Sequence, residues 1–275
     1  MDLDGLVYDF RLGYVRAGRQ GGFAVLGADR APDRRIVTLG GTEGWASRLY
    51  ERFGRKRQIY DGSTEGYTSA QELTMLLRDG LLLNPEMVLC YSCFYNFAYK
   101  LGFVGDKRYA PLLGDRPFTT PGQIAFYEKI TARFGLGNNR VYYGEKNAVP
   151  AWEYWIEQQS RIHCLCQEFG IRHLAFLQPC AFSGEYQRSA EENEKLRRLY
   201  DVTPEELSAF AALFQKQYAA ASQAARDCGY IFDLAGLFDG ESGVYKDACR
   251  IGAAGLDRIV DAILPCLGSA TQNEA

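Results

Sequence analysis

Five short apolar runs alternate with helical patterns along the chain, and this alternation constrains the fold more than any other feature. The runs cover residues 36–39, 58–60, 87–91, 174–177 and 230–234. Short apolar and β-branched runs bounded by Gly or Pro are typical of buried strands. Strands that alternate with helices form parallel sheets through right-handed crossovers. We therefore predict a three-layer α/β/α sandwich with a five-stranded, parallel, flavodoxin-like sheet.

Composition favours a single domain. The chain has 275 residues, of which 47% are hydrophobic and 24% are charged. A chain of this length and balance can bury a sizeable core. We predict one domain over residues 1–267, with residues 1–34 as an extended leader packed on it, and a disordered polar tail over residues 268–275. A division into two domains is the alternative, and nothing in the sequence favours it.

Net charge and hydropathy argue against two classes of partner. The formal net charge is -3, and the Lys and Arg residues are dispersed, so we expect no nucleic acid and no anionic membrane as partner. No apolar run approaches the roughly 18 residues of a membrane span. The opening Met1-Asp2-Leu3-Asp4 also lacks the basic region of a signal peptide. We predict a soluble protein without a membrane span.

The eight cysteines fall mostly inside apolar stretches, which favours reduced and buried thiols. Cys90-x-x-Cys93 invites a metal or redox interpretation, but no second pair of ligands follows at a suitable spacing. We interpret these two residues as small core side chains and predict neither a metal site nor a cofactor. Reduced thiols also indicate, more weakly, a cytoplasmic location.

A candidate site lies where the first core strand ends. Residues 36–39 are followed by Gly40-Gly41-Thr42 and then by a helical pattern over residues 45–53. The glycines allow a sharp turn, and the Thr42 hydroxyl then sits at the carboxyl end of a central strand, where open α/β sheets bind their ligands. We expect the loops after Tyr60 and Tyr91 and the late loop around Asp247 to converge on the same place.

Four blocks of residues resemble those of the SGNH (GDSL-like) hydrolases, in order and spacing, along most of the chain. The blocks are Gly40 to Thr42, Asp61 to Leu73, Tyr91 to Asn96, and Tyr245 to Arg250. The resemblance implies an ester or acyl hydrolase fold. It also implies a Ser nucleophile in the first block, Gly and Asn oxyanion donors in the second and third, and an Asp-x-x-His pair in the last.

The chain departs from that pattern at each of these positions except the aspartate. The positions are occupied by Thr42 for Ser, Ser63 for Gly, Tyr95 for Asn, Arg250 for His, and Asp247 for Asp. A shift of one residue in the second and third blocks would instead place Gly62 and Asn96 at the oxyanion positions. The last block is less open to such a shift, because Asp247 and Arg250 have the same spacing as the Asp-x-x-His pair.

Arg250 replaces the histidine of the Asp-x-x-His pair, and this replacement determines the chemistry that we expect. A hydroxyl nucleophile near neutral pH needs a positioned base, and arginine cannot be deprotonated there. The chain has two histidines. We place His163 in the middle of a crossover helix and His173 just before its strand, at the edge of the sheet opposite the site. Both are predicted to be structural, and Thr42 is predicted to be an N-cap rather than an activated nucleophile.

We therefore predict a non-catalytic protein that binds a small acidic or glycan-like ligand, or a protein partner, at the former active site. In this hypothesis Arg250 binds the ligand together with the hydroxyls of Thr42, Ser63 and Tyr95. An ion pair between Arg250 and Asp247 is the alternative role for the arginine. The second hypothesis is an ester hydrolase or acyltransferase that uses Thr42 as nucleophile with an unorthodox base.

Aromatic residues in the nearby loops suit stacking on a sugar, a protein interface or contacts in a homo-oligomer. They are Tyr99, Phe103, Tyr109, Phe118, Tyr142 and Tyr143. These residues could equally belong to the core.

Overall fold

A computed structural model describes residues 6–9, 13–16, 23–27, 35–41, 44–53, 57–101 and 150–267. The strands are β1 (Leu6–Asp9), β2 (Gly13–Arg16), β3 (Ala24–Leu26), β4 (Arg35–Leu39), β5 (Gln58–Asp61), β6 (Met87–Ser92), β7 (Arg172–Leu177) and β8 (Ile231–Asp233). The helices are α1 (Trp45–Arg52), α2 (Ser69–Met75), α3 (Phe94–Lys100), α4 (Ala151–Glu168), α5 (Ala190–Tyr200), α6 (Pro204–Ala225) and α7 (Ala253–Leu267). A π-helical turn, Leu76–Gly80, and a 3-10 turn, Leu81–Leu83, follow α2.

The main sheet has six strands in the order β3-β5-β4-β6-β7-β8. Five of them, β4 to β8, are parallel, and taken in chain order they have the arrangement 2-1-3-4-5. This is the predicted flavodoxin-like order. The predicted count of five strands is one too low, because β3 pairs antiparallel with the outer side of β5. Strands β1 and β2 form a separate antiparallel hairpin.

The central strands are buried on both faces because helices pack on each side of the sheet. Every residue of β6 is buried, as are the last four residues of β4. Helix α1 packs on α7, while α4 packs on α2, α3 and α6. These two helical groups form the outer layers of the predicted α/β/α sandwich. Continuous apolar runs are what a parallel strand needs when both of its faces are covered.

Helix α2 differs from its prediction in both its start and its buried face. The sequence Ser69-Ala70-Gln71-Glu72 predicts a capping box with Ser69 as the N-cap. The N-cap is instead Thr68, whose backbone N–H donates to Gln71 Oε1 at 3.0 Å. Of the predicted apolar face, Leu76 is buried and Leu73 packs on the core, but Leu77 is 53% exposed. The helix instead turns Glu72 and Met75 inward.

Helices α4 and α6 lie close to their predicted positions. The predicted capping box at the start of α6 is present: Thr203 Oγ1 accepts from the Glu206 backbone N–H, and Glu206 Oε2 accepts from that of Thr203. In α4, Trp155 and Ile162 are fully buried as expected. Phe169, which we expect on the same apolar side, is instead 63% exposed because it follows the last turn of the helix.

Several predictions concern residues outside the described ranges. They include Thr42, the helix expected over residues 120–134 and the tail over residues 268–275. Residues 97–100, which the sequence predicts to open a long loop, belong to α3. Whether the chain forms one domain over residues 1–267 stays a prediction.

All eight cysteines are free thiols, and five of them are buried. Cys90 and Cys93 lie in the core, as predicted. Among the described residues, no three His, Cys, Asp or Glu side chains meet in a way that could hold a metal ion. The described helices also include none that is long and apolar enough to cross a membrane.

Candidate functional site

The turn after β4 is built around two glycines with left-handed backbones, Gly40 at φ 71° and Gly41 at φ 75°. A Cβ atom on Gly40 would lie 2.5 Å from Glu72 Oε1 and 2.8 Å from the Tyr91 carbonyl oxygen. Only glycine fits such a position, both for its backbone angles and for the space around it. The turn therefore brings the chain close over β6 just before Thr42, which itself lies outside the described residues.

Ser63, the predicted counterpart of the oxyanion glycine, lies beside this turn. The Trp45 indole N–H donates both to the Gly40 carbonyl oxygen, at 3.0 Å, and to Ser63 Oγ, at 2.8 Å. The backbone N–H of Ser63 donates to Asp61 Oδ1 at 2.8 Å. These contacts link the first two sequence blocks at the carboxyl end of the sheet.

The two alternative oxyanion donors are occupied within the protein. The Gly62 backbone N–H donates to the Thr38 carbonyl oxygen at 2.8 Å. Asn96 is completely buried; its Oδ1 accepts from the Ser69 backbone N–H at 3.1 Å, and its Nδ2 donates to Ser69 Oγ at 2.7 Å. Asn96 thus connects α3 to the first turn of α2. Gly62 and Asn96, the alternative oxyanion donors, therefore both make hydrogen bonds within the protein.

Asp247 and Arg250 form an ion pair through the arginine Nε and Asp247 Oδ2. The other carboxylate oxygen, Oδ1, accepts from the backbone N–H groups of Cys249, at 2.9 Å, and Arg250, at 2.7 Å. Both oxygens of Asp247 are therefore engaged. Partial burial alone would lower the pKa of Arg250, but its hydrogen bond and charge contact with Asp247 raise that pKa above the ordinary value.

Glu65 adds a second carboxylate to this cluster. Its Oε2 lies 3.9 Å from Arg250 Nη1, and its Oε1 accepts from the Tyr95 hydroxyl at 3.2 Å. Cys249 Sγ lies 3.9 Å from the same hydroxyl. Burial, followed by the nearby Cys249 and Glu65, raises the pKa of Tyr95 well above its usual range. The loop after β5, the start of α3 and the loop around Asp247 meet here. Among the described residues, this cluster holds two carboxylates and one guanidinium group.

Neither histidine reaches this cluster. His173 is the second residue of β7, a correction to its predicted position before the strand. It lies four residues before Leu177, where the strand ends, which is about 13 Å along the chain. His163 lies within α4 and stacks near His173, with ring centroids 5.7 Å apart. Both histidines of the chain therefore lie toward the amino end of β7, opposite the site.

Glu65 and Glu72 are site residues that the sequence did not predict. Glu72 is completely buried beneath Gly40, and its Oε2 accepts from Ser92 Oγ at 3.1 Å and from Gln159 Nε2 at 3.5 Å. Its Oε1 has no hydrogen-bond partner among the described residues. Burial raises the pKa of Glu72 to about 7, against the opposing effect of the bonds from Ser92 and Gln159. The spacing Ser69, Glu72, Leu76, on one helical face, is the one signal that could have indicated its inward position.

Comparisons with known proteins give low sequence identities and TM-scores below 0.5. No family model and no curated protein matches the sequence. The chain is similar to a GDSL-like lipase from Bacteroides thetaiotaomicron, at 15% identity over 89% of this chain and 94% of that chain, with a TM-score of 0.48. It is also similar to a catalytic mutant of an acetylxylan esterase from Geobacillus stearothermophilus, at 10% identity over 87% and 96% of the two chains, with a TM-score of 0.49. At these identities and scores, no activity carries over to this chain.

Proposed function

We propose that this protein has an SGNH-hydrolase fold without ester hydrolysis, and that it binds a small hydroxyl-bearing, glycan-like ligand at the cluster of Asp247, Arg250, Glu65 and Tyr95. The observation that carries the proposal is the bonding of Asp247. The carboxylate that would orient a catalytic base is bonded instead to an arginine and to two backbone N–H groups. An arginine cannot accept a proton near neutral pH.

Other groups in the cluster are poor substitutes for the base. Burial raises the pKa of the Cys249 thiol and of the Tyr95 hydroxyl well above their usual ranges. Both groups therefore stay protonated at neutral pH, when a general base must be free to accept a proton. The two histidines lie toward the opposite end of β7. Among the described residues of the cluster, Glu65 is then the candidate proton acceptor that is not bonded to backbone N–H groups as Asp247 is.

The charge of the cluster favours a neutral ligand over an acidic one. Among the described residues, two carboxylates, Asp247 and Glu65, face one guanidinium group, that of Arg250. An anionic ligand would be repelled by both carboxylates, whereas sugar hydroxyls can donate to Glu65 and accept from Arg250. The side chain of Arg250 is 45% exposed and can reach such a ligand. Tyr99, expected to offer a stacking surface, is buried and does not contribute to one.

An acyl hydrolase or transferase that uses Thr42 is the second candidate function. It is favoured by one observation, the carboxylate of Glu65 at the meeting point of the loops. In that mechanism Glu65 would accept the proton of the Thr42 hydroxyl as the hydroxyl attacks the acyl carbon.

Hydrolysis of short acyl esters distinguishes the two candidates. We expect the wild-type protein and Thr42→Ala to give equal rates, both near the uncatalysed background. In a working enzyme, loss of the nucleophile costs several orders of magnitude in rate. Turnover that disappears in both Thr42→Ala and Glu65→Gln, with unchanged melting temperatures, would establish the enzyme and refute our proposal. Labelling of Thr42 by a fluorophosphonate would also count against it.

Ligand binding is tested by melting temperature, because a ligand that binds only the folded state stabilises it in proportion to RT ln(1 + [L]/Kd). We expect neutral oligosaccharides to raise the melting temperature of the wild-type protein more than uronic acids or sulfate do. Glu65→Gln and Arg250→Ala should each remove that increase. A larger effect from the anions would contradict the preference for a neutral ligand.

We also propose a reducing compartment, the cytoplasm, for this protein. The free state of all eight cysteines supports it. Titration of the denatured, unreduced protein purified from its native cells should find eight thiols. A stable disulfide in that material would exclude the cytoplasmic location.

A further inference from the structure

The turn at Gly40 and Gly41 rests on a buried carboxyl group. Glu72 is completely buried, and its Oε1 lies 2.5 Å from the position that a Cβ atom on Gly40 would take. The Tyr91 carbonyl oxygen lies 2.8 Å from the same position. The turn, the carboxyl group and the end of β6 are therefore packed so closely that the turn has no room for one more carbon atom at Gly40.

The hydrogen bonds of Glu72 are unevenly shared between its two oxygen atoms. Its Oε2 accepts from Ser92 Oγ, at 3.1 Å, and from Gln159 Nε2, at 3.5 Å. The Ser92 oxygen itself accepts from the Trp155 indole N–H at 3.2 Å. Oε1 of Glu72 and Oε1 of Gln159 are both buried and have no partner among the described residues. The cluster thus has more acceptors than donors, and a proton on Glu72 supplies one further donor.

The groups that face Glu72 do little to stabilise its charge. Helix α2 contains no other charged residue. Strand β6 presents the thiols of Cys90 and Cys93, and burial raises the pKa of each thiol well above its usual range, so both stay neutral. Helix α4 presents the uncharged amide of Gln159. The Asp, Glu, Lys and Arg residues of α4 are all exposed; they are Glu153, Glu157, Arg161 and Glu168.

Glu72 therefore changes charge close to neutral pH. Burial raises its pKa to about 7, and the two groups that oppose this rise are the uncharged donors Ser92 and Gln159. Once ionised, the carboxylate is a buried charge without a counter-ion, next to the Tyr91 carbonyl oxygen. A buried charge in such surroundings is costly, and the protein lowers the cost by admitting water or by moving apart.

We propose that Glu72 is a pH-dependent switch that holds the turn at Gly40 and Gly41 on β6 while it is protonated and releases the turn when it is ionised. In the protonated form the carboxyl group is both donor and acceptor, and the turn packs as described above. In the ionised form the turn moves away from β6 and water reaches Oε1. The direction is set by the charge: the turn is held at low pH and released at high pH.

Trp45 connects this switch to the candidate site. Its indole N–H donates to the Gly40 carbonyl oxygen, at 3.0 Å, and to Ser63 Oγ, at 2.8 Å. Ser63 lies two residues before Glu65 in the loop after β5. Release of the turn therefore changes the position of this loop. If the proposed function holds, the affinity for a neutral oligosaccharide then falls as the pH rises from 6 to 8.

The switch itself is tested without a ligand, by the ¹H–¹⁵N signals of the indole groups between pH 5.5 and pH 8.5. The chain has three tryptophans, so the signals can be assigned. We expect the signals of Trp45 and Trp155 to shift with a midpoint near pH 7, while Trp152, in the first turn of α4, serves as internal control. Glu72→Gln keeps the shape and carries a donor at every pH, so it should remove both shifts. Glu157→Gln, which changes an exposed carboxylate of α4, should leave them unchanged.

Ser92→Ala provides a directional test and guards against misfolding of Glu72→Gln. The bond from Ser92 lowers the pKa of Glu72, so its loss should move the midpoint of the Trp45 shift to higher pH. A Trp45 signal that does not respond to pH, a response that persists in Glu72→Gln, or a midpoint that does not rise in Ser92→Ala would refute the switch. Equal oligosaccharide affinity at pH 6 and pH 8 would refute its coupling to the site. Absence of oligosaccharide binding at both pH values would count against the proposed function alone.

Discussion

The parallel strands β4 to β8 place their carboxyl ends at one end of the sheet and their amino ends at the other. Each end buries one titratable side chain, and burial affects the charge of these two side chains in opposite ways. At the carboxyl end, Glu72 lies beneath Gly40 among hydrogen-bond donors, and burial favours its protonated form. At the amino end, His173 lies beside another imidazole, and burial favours its unprotonated form. Desolvation acts against the charged form in both places. Desolvation of Glu72 therefore lowers the stability of the fold at high pH, and desolvation of His173 lowers it at low pH.

The largest expected effect comes from crowding at the carboxyl end. Gly40→Ala should lower the free energy of unfolding by about 3–5 kcal/mol, because it combines a strained left-handed backbone with an overpacked Cβ. Gly170, just before β7, has a similar φ of 66°, but a Cβ atom added there would meet no atom within 4 Å. Gly170→Ala should cost only about 1 kcal/mol. Urea unfolding measures both, and equal losses would show that the packing around Gly40 is not tight.

The acid sensitivity of the amino end is expected to be the next largest effect. An unfolded histidine titrates near 6.5, and His173 in the folded state near 3, so the unfolded chain binds more protons between these values. Stability is therefore lost as the pH falls below about 6.5. His173→Leu should remove about 3 kcal/mol of the wild-type loss between pH 7.5 and pH 4. Parallel curves for the two proteins, from urea unfolding at each pH, would contradict this.

The carboxyl end should respond in the opposite direction. The pKa of Glu72 is about 4.5 in the unfolded chain and about 7 when folded, so the folded state binds more protons between these values. Stability then falls as the pH rises through this window. Glu72→Gln should flatten the decline between pH 5 and pH 8 by about 2 kcal/mol. A decline that persists unchanged in Glu72→Gln would mean that another group causes it.

The smallest effect is expected at the ion pair of Arg250 and Asp247. The arginine side chain is 45% exposed, and Asp247 keeps two backbone hydrogen bonds without it. Arg250→Ala should therefore cost less than about 1 kcal/mol, close to the cost of Arg161→Ala, which removes an exposed pair with Glu157. Thermal unfolding of both variants at low and high salt measures the difference. A much larger loss for Arg250→Ala would indicate that Asp247 is left uncompensated.

The positions of the central strands were predictable from sequence, because strands covered on both faces are apolar throughout. Met87 to Ser92 shows this pattern, and the glycines after β4 mark its end. The edge strand β3 was not predictable: its three residues are half-buried and lie in a glycine-rich leader without alternation. Edge strands need only one covered face and one paired side, so they carry a weaker signal.

At the candidate site, local contacts were predictable and contacts between loops were not. The pair of Asp247 and Arg250 was one of two stated alternatives, because residues three apart in a turn can meet. The bond from Tyr95 to Glu65 joins residues 30 positions apart, one in α3 and one in the loop after β5, and these segments meet only through the sheet order. The inward position of Glu72 was missed because a helical glutamate normally faces solvent. Sequence patterns indicate where a residue lies along an element better than what it faces across loops.

The short outer strands of the sheet bear on self-association. Of the six strands in the main sheet, the two outermost, β3 and β8, have three residues each. Strand β8 ends at the exposed Asp233, whose Oδ1 accepts from the Ala235 backbone N–H and turns the chain away from the sheet. An exposed strand edge is a template on which another chain can add and begin cross-β aggregation. Edge strands of three residues, one of which ends in a carboxylate, present few backbone N–H and C=O groups with which an added chain could pair.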